Sequence, residues 1–189
     1  MKNKNLVAAQ SFLLIASPLL MLSAYSYADN KDKIKPLKGC YQVIRGSMEE
    51  SAADAKKVIG TYHFSLSRND PGRPRNIKIA GPISGSEASD SHEEGEIHGG
   101  HVLGTYDRTG TLSSNEDDLV ITGASCLDEK GQPRLITGIE TLKFNKGTGI
   151  YAGLTHGSIT FNLTFDACTD TTNPVADLKA VSGEICFKE

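Results

Sequence analysis

The chain contains no tryptophan, and aromatic residues make up only 6% of its 189 residues. Stacking of bases or sugar rings depends on exposed aromatic side chains, so the sequence offers no platform for these ligands. The formal net charge is −3, and a mildly acidic protein has no electrostatic attraction to nucleic acid or to an anionic membrane surface. We therefore expect no nucleic-acid partner.

Apolar runs long enough to span a bilayer are missing except at the N-terminus. There, two lysines precede an apolar run from Leu6 to Leu22, and Ser26-Tyr27-Ala28 ends in small residues. This pattern predicts a secretory signal peptide over residues 1–28, with cleavage before Asp29. An uncleaved transmembrane anchor is the alternative, but Pro18 and the small-residue ending favour cleavage.

The predicted product is an exported protein, periplasmic or extracellular, whose mature chain is not inserted in a membrane. Residues 29–38 are charged and contain Pro36, so we interpret them as a polar leader that lies outside the core. Residues 39–189 have the length of one ordinary domain, with enough material for a single core.

Cysteine is scarce, and no C-x-x-C pair is present. The four cysteines are Cys40, Cys126, Cys168 and Cys186. An even count in an exported protein predicts two disulfides, and the count alone leaves three connectivities open. A four-thiolate metal site is the alternative, but it lacks paired spacing, and thiolates rarely stay reduced outside the cytosol.

Helical periodicity is almost absent. Met48 to Lys57 (MEESAADAKK) is the only segment typical of a helix, with alanines and with acids ahead of lysines. Elsewhere the chain shows short alternating runs separated by turn residues. Leu119–Leu127 is a strand of this kind, preceded by an interruption at Asn115–Asp118 and followed by a hairpin turn at Asp128–Pro133. The pattern predicts an all-β fold, either a sandwich or a barrel.

The clearest strand pattern lies within Gly138–Asp166. Its second half alternates, with apolar residues on one face. These are Ile159, Phe161, Leu163 and Phe165. Leu142 and Phe144 share a face of the preceding strand, and Asn145–Gly149 is predicted to turn the chain back. We expect four structural glycines to permit a bulge or sharp coiling here. They are Gly147, Gly149, Gly153 and Gly157.

Motifs that carry chemistry are also missing. The chain has no nucleophile elbow in a strand–turn–helix context and no phosphate-binding G-x-x-x-x-G-K-[ST]. Nearly all its acids fall in predicted turns, so no carboxylate pair stands out. The sequence therefore does not identify a catalytic residue, and no cofactor is predicted.

Ser84–Gly100 is the most polar stretch, and we interpret it as a loop. His92, His98 and His101 lie in or next to it, among glutamates. They are minor candidates for a zinc or copper site. Strand spacing would place His98 and His101 on opposite faces, so only a bent loop could bring them to one ion. A solvated acidic loop is the simpler interpretation, and no metal is predicted.

The run F-x-x-G-T-G-x-Y-A-G-x-T-x-G-S-x-T-F, from Phe144 to Phe161, resembles the hairpin of the allene oxide cyclase-like barrel group. That group includes the dirigent proteins and various secreted bacterial proteins. The resemblance implies a closed antiparallel eight-stranded, calycin-like barrel with at most one short helix. A β-sandwich is the alternative. Lys146-Gly147 replaces the usual glycine pair, and no catalytic residue of the group can be placed on this sequence.

The barrel that the resemblance implies also favours one pairing of the cysteines. Its first and last strands are neighbours, so Cys40 and Cys186 would meet at one rim. Cys126 and Cys168 end strands that flank the same neighbour, so they would meet at the opposite rim. We therefore predict Cys40–Cys186 and Cys126–Cys168, with Cys168–Cys186 as the alternative local pairing.

Three functions remain compatible with the sequence. We favour a secreted, disulfide-stabilised, non-enzymatic barrel that binds a small apolar ligand or a partner protein. The alternatives are an enzyme of cyclase or isomerase type, as the resemblance implies, and a structural or surface-interaction protein. An interior lined with convergent acids or tyrosines would favour the enzyme, and a dry, packed interior would favour the interaction protein.

Overall fold

The computed structural model describes residues 35–54, 57–70, 73–87, 96–168 and 174–189. The predicted signal peptide, residues 1–28, lies outside this part of the chain. All regular elements among the described residues are β-strands. The described residues include no helix long and apolar enough to cross a membrane.

The described residues form nine strands, which follow one another along the chain. They are β1 (Gly39–Asp54), β2 (Lys57–Asp70), β3 (Arg73–Glu87), β4 (Glu96–Gly104), β5 (Gly110–Ser114), β6 (Asp117–Leu127), β7 (Pro133–Gly149), β8 (Leu154–Asp166) and β9 (Ala176–Phe187). All their pairings are antiparallel.

The strands close into a barrel. Pairing runs in the order β3-β2-β1-β9-β8-β7, and β7 then pairs with both β5 and β6. Both of these pair with β4, and β4 pairs with β3 to complete the ring. The short strands β5 and β6 thus occupy one position. The fold is a closed eight-stranded antiparallel barrel with one extra strand, which confirms the predicted barrel over the sandwich.

The break between β5 and β6 changes which residues face inward. Asn115 and Glu116 are exposed, whereas Ser114 and Asp117 on either side of them are buried. Strict alternation would place residues three apart on opposite faces. The two-residue break therefore lets Ser114 and Asp117 both point into the barrel. The predicted interruption of the strand is present, at Asn115–Glu116.

The predicted helix at Met48–Lys57 is wrong. Strand β1 continues through Asp54, and Lys57 begins β2. Met48 and Glu50 are buried while Glu49 is exposed, which is the alternation of a strand. This segment pairs with β2 on one side and with β9 on the other. Backbone hydrogen bonds to two neighbours outweigh the modest helix propensity of its residues.

One predicted turn lies at a different position, and one predicted loop is shorter than expected. Asn145–Gly149 belongs to β7, and the chain turns at residues 150–153. Gly149 and Gly153 have positive φ angles of 58° and 86°, which glycine adopts without steric cost. Likewise, Ser84–Gly100 is not all loop, because β3 extends to Glu87 and β4 begins at Glu96.

All four glycines predicted to be structural lie close to neighbouring atoms. A Cβ at Gly147 would lie 2.1 Å from the carbonyl oxygen of Tyr151, and one at Gly149 would lie 1.7 Å from that of Thr109. At Gly157 a Cβ would lie 3.2 Å from Ile185 Cγ2, and at Gly153 it would lie 3.7 Å from Lys188 Cβ. The first two positions therefore have no room for a side chain.

Aromatic side chains fill one half of the barrel. Tyr41 and Tyr151 both pack against Phe187, with ring centroids 6.2 and 6.3 Å apart. Phe64 packs between Tyr62 and Phe161 at 5.0 and 5.9 Å. Each such side chain contributes about 1.5–3 kcal/mol on full burial.

The end of the predicted leader takes part in this core. Leu37 packs against the buried cluster, and its N–H donates to the carbonyl oxygen of Ile150 at 2.8 Å. The leader was expected to lie outside the core, but its residue Leu37 packs against the core. Leu37 is a large apolar side chain just before β1, and it lies next to the turn between β7 and β8, where its backbone bonds to Ile150.

The disulfides join Cys40 to Cys186 and Cys126 to Cys168. Cys40 and Cys186 are register partners on β1 and β9. The second bridge connects the ends of β6 and β8, which flank β7. The two bridges lie at opposite rims. The predicted pairing is confirmed, and the alternative Cys168–Cys186 is wrong.

Candidate functional site

The half of the barrel away from the aromatic core contains a cavity of about 350 Å³, a volume typical of small-molecule pockets. Most of its wall is apolar. The apolar lining residues are Val58, Leu119, Ile121, Ile136, Leu163, Phe165 and Ala176. The polar lining residues are Glu50, Ser51, Ser86, His101, Asp117 and Glu140. The cavity is therefore an apolar chamber with one strongly polar region.

The polar region is organised around His101, whose ring is buried. Its Nδ1 lies 2.7 Å from Asp117 Oδ2 and 3.9 Å from Glu140 Oε1, and its Nε2 lies 3.1 Å from Glu50 Oε1. The four side chains come from β4, β6, β7 and β1 respectively. We call His101, Glu50, Asp117 and Glu140 the His101 cluster. It has no sequence motif, because its members converge only when the barrel closes.

Asp117 is held firmly in place. Its Oδ2 accepts hydrogen bonds from Ser114 Oγ at 2.5 Å and from the His101 ring, and its Oδ1 accepts one from the backbone N–H of Lys143 at 3.0 Å. Ser114 Oγ also accepts the backbone N–H of His101 at 2.9 Å. Both carboxylate oxygens are therefore satisfied. Asp117 fixes the orientation of the imidazole, as carboxylates commonly do for buried histidines.

The His101 imidazole is protonated at neutral pH. Burial alone would lower its pKa, but the interactions with Asp117 and Glu50 and the negative charge of Glu140 outweigh burial and raise the pKa to about 10. Both ring nitrogens then carry hydrogens. The cluster thus contains a buried imidazolium surrounded by three acids.

Glu140 behaves differently from an ordinary surface glutamate. Burial raises its pKa, the charge of His101 lowers it, and the charges of Glu50 and Asp117 raise it further, with a net value of about 7. Its carboxyl group therefore gains or loses a proton near neutral pH. A group of this kind can bind a ligand in either state or transfer a proton to it.

Glu50 retains unused hydrogen-bonding capacity. Its side chain is only 7% exposed, and Oε1 lies at ion-pair distance from His101 Nε2. Oε1 has no hydrogen-bond partner among the described residues, so its contact with the imidazolium is an ion pair without a well-aligned hydrogen bond. A buried carboxylate oxygen in this condition is energetically costly. Because the Glu50 side chain also lines the cavity, a bound cation would add to the positive charge that faces this carboxylate.

The structure places one of the three histidines considered for metal binding, His101, in the candidate site. His101 lies inside the barrel, the backbone of His98 belongs to β4, and His92 lies outside the described residues. The carboxylates of Glu50 and Asp117 contact opposite nitrogens of the His101 ring. Glu140 lies on the Nδ1 side with Asp117, but the ligand atoms of His101, Asp117 and Glu140 are not all close enough together to share one ion. The His101 cluster is therefore not arranged as a metal site.

Sequence reasoning missed Glu50, Asp117 and Glu140. Glu50 fell in the predicted helix and Asp117 in the predicted interruption. Glu140 carried a usable signal, because it shares the strand face of Leu142 and Phe144, both of which are buried. A glutamate on the apolar face of a strand indicates a buried polar site.

Comparisons with family models, with curated proteins and with solved structures find no match to this chain.

Proposed function

We propose that this barrel binds a small, mainly apolar molecule in its cavity, with one polar end of the molecule against the His101 cluster. The observation that carries the proposal is the open volume of about 350 Å³ inside a barrel whose other half is packed with side chains. Unfilled apolar volume is destabilising, because the lining atoms lose dispersion contacts. Occupation by a ligand removes that cost.

The apolar walls come from five strands, which supports a ligand enclosed by the barrel. Val58 lies on β2, Ile121 on β6, Ile136 on β7, Phe165 on β8 and Ala176 on β9. Small barrels with unfilled interiors hold one ligand in this way. The ligand would be apolar over most of its surface and polar at one end.

Binding is tested with Nile red, a neutral dye that fluoresces in apolar surroundings. We expect fluorescence to rise with the wild-type protein and to stay low with Ala176→Phe, because Ala176 lines the cavity and a phenyl ring would fill it. Val181→Phe is the matched control, since Val181 is an exposed residue of the same strand. Equal dye binding by the two variants, with both folded by thermal unfolding, would contradict the proposal.

A second candidate function is acid–base catalysis of cyclase or isomerase type. It is supported by Glu140, whose carboxyl group has a pKa of about 7 and lies in an apolar cavity beside a protonated His101. Glu140 would take a proton from a bound carbonyl compound and return it at another position, while the His101 imidazolium stabilises the carboxylate.

Cyclohexanone in D₂O serves as a simple probe of this activity. If Glu140 abstracts protons, the wild-type protein accelerates exchange of the protons next to the carbonyl, and Glu140→Gln does not. If exchange occurs at the same rate with the wild-type protein, with Glu140→Gln and with buffer alone, the catalytic function is contradicted. That result would not bear on the binding function.

We also propose that the protein is exported and related to the allene oxide cyclase-like barrel group. Export is supported by the two disulfides, which persist in oxidising compartments. The relationship is supported by the closed barrel and by the glycine-rich run from Phe144 to Phe161 that forms most of the β7–β8 hairpin. N-terminal sequencing of the purified protein tests export, and a chain beginning at Asp29 is the expected result.

A further inference from the structure

We infer that the molecule bound in the cavity carries a positively charged amine, with its ammonium group beside the carboxyl groups of Glu50 and Glu140. This inference rests on the proposed binding function and specifies the chemical class of the ligand, an apolar body ending in a primary ammonium group. It is argued from the charges, hydrogen bonds and walls of the cavity.

The His101 cluster has more acidic than basic groups. Three carboxyl side chains face a single imidazolium, and Glu50, Asp117 and Glu140 are 7%, 2% and 6% exposed. No lysine or arginine is among the described residues that line the cavity. Buried charges without compensation are strongly unfavourable. A cationic ligand group supplies the missing positive charge, whereas an anionic group would increase the imbalance.

The hydrogen bonds indicate where the cation binds. Asp117 is already satisfied by Ser114, by His101 and by the backbone of Lys143. Glu50 lines the cavity, and its Oε1, which is buried beside His101, has no hydrogen-bond partner among the described residues. An ammonium group has three donors and no acceptor, so it matches an acceptor-rich site. Glu140 provides a second carboxylate in the same cavity.

The walls favour an organic amine over a metal ion. A bare cation would leave the apolar surface of Leu119, Ile136 and Leu163 uncovered, whereas an alkyl ammonium covers it. Glu50 and Asp117 also approach opposite nitrogens of the His101 ring. That arrangement separates the carboxylates instead of gathering them as ligands of one ion.

Binding of an ammonium should be coupled to proton release. A cation near Glu140 stabilises its ionised form and lowers its pKa, so a proton leaves as the amine binds near neutral pH. The charged groups that face Glu140 are His101, Glu50 and Asp117. His101 stays protonated under these conditions, because its pKa is about 10.

The test compares n-octylamine, 1-octanol and octanoate, which share an alkyl chain and differ in charge, by calorimetry at neutral pH. We expect the amine to bind roughly tenfold more tightly than the alcohol and the carboxylate to bind least. Titrations of the amine in phosphate and in Tris buffer should differ in heat, because a released proton is taken up by the buffer.

Two substitutions test whether Glu50 causes the preference for the amine over the alcohol. Glu50→Gln should remove the preference for the amine over the alcohol. Glu49→Gln, at the exposed neighbouring position on β1, should retain it. If Glu50→Gln does not fold, Glu140→Gln is measured in its place. In Glu140→Gln the proton release that accompanies binding of the amine should disappear.

The outcomes separate the inference from the proposed function. Tight binding of both alcohol and amine without discrimination, or preferred binding of octanoate, overturns the amine inference but leaves the cavity as a binding site. No binding of any of the three compounds, together with no binding of Nile red, overturns both. A preference for the amine that survives in Glu50→Gln and Glu140→Gln assigns the site to other residues and overturns the inference.

Discussion

Gly85 on β3 and His101 on β4 are register partners, and the His101 ring occupies the space where a side chain of Gly85 would lie. A Cβ atom at Gly85 would be 2.7 Å from His101 Cδ2 and 2.9 Å from Nε2, and on its other side 2.5 Å from Val58 Cγ2. The ring has little freedom to move away, because Asp117 holds its other edge. The absence of a side chain on β3 therefore makes room for the imidazole inside the barrel.

Gly85→Ala should displace the imidazole and weaken its contact with Glu50. We expect a loss of about 1–3 kcal/mol in the free energy of unfolding, as for other overpacked interiors. Gly104→Ala is the control, because a Cβ on that residue of β4 would meet nothing closer than 3.6 Å. Urea denaturation measures both, and equal small effects would show that the ring moves freely.

Asp117→Asn should disrupt the His101 cluster. The hydrogen bond from His101 Nδ1 loses its charged acceptor, so we expect the pKa of His101 to fall and the fold to lose about 3 kcal/mol. Histidine titration by NMR and urea denaturation measure the two effects. Asp118→Asn removes the neighbouring surface pair with Lys143, at 2.5 Å, and should cost less than about 1 kcal/mol. Similar effects of the two substitutions would contradict the role of Asp117.

Glu140 should make the protein less stable as pH rises from 4.5 to about 7. The folded protein holds a proton on Glu140 up to a pKa of about 7, whereas the ordinary value is 4.5. Stability from this group is therefore complete below pH 4.5 and is lost as pH rises to about 7, a change of about 3 kcal/mol. Glu140→Gln should remove this decline in urea denaturation, and Glu129→Gln in the exposed β6–β7 turn should not.

His101 adds a second decline in the free energy of unfolding, at higher pH. Its pKa is raised from 6.5 to about 10, so its contribution is complete below pH 6.5 and is lost between there and pH 10. In Glu140→Gln this decline should persist but shift to lower pH, because one of the negative charges that raise the pKa is gone. Its complete absence from the wild-type protein would show that His101 is neutral in the fold.

Tyr41→Phe should not destabilise the protein. The Tyr41 side chain is fully buried, and its hydroxyl has no hydrogen-bond partner. Removing a buried, unsatisfied hydroxyl relieves a desolvation cost, so we expect the free energy of unfolding to be unchanged or to rise by about 1 kcal/mol. Thermal unfolding gives the comparison. A clear loss of stability would reveal a partner for the hydroxyl, such as an enclosed water molecule.

Most strands could be predicted from the sequence, because the alternation and turn patterns that indicate a strand are local. The alternation from Ile159 to Phe165 and the glycines around residues 147–157 depend only on strand geometry. The barrel and the pairing of Cys40 with Cys186 followed from the resemblance. The helix at Met48–Lys57 was predicted wrongly, because helix propensity depends on the segment alone and takes no account of the two strands that pair with it.

The candidate site could not be predicted in the same way. Glu50, Asp117 and Glu140 are far apart in the chain and become neighbours of His101 only through barrel closure. The inward position of Asp117 depends on the exact length of the break between β5 and β6, and that of Glu50 depends on the pairing of β1 with two neighbouring strands. Local patterns show neither. Only Glu140, on the same face as Leu142 and Phe144, could have been recognised as an inward-facing acid before the structure was known.

The break between β5 and β6 makes the chemistry of the cavity sensitive to the length of that break. If both Asn115 and Glu116 were deleted, Ser114 and Asp117 would become adjacent, and strand alternation would place them on opposite faces. Asp118 and Val120 would then move to the interior, and Asp117, Leu119 and Ile121 would turn outward, which removes the anchor of His101 and two apolar wall residues together. Deletion of Asn115 alone leaves one residue between Ser114 and Asp117, so alternation would keep both of these side chains inward. The sequence of the break can therefore vary freely, but its length can change only in ways that keep Ser114 and Asp117 on the same face.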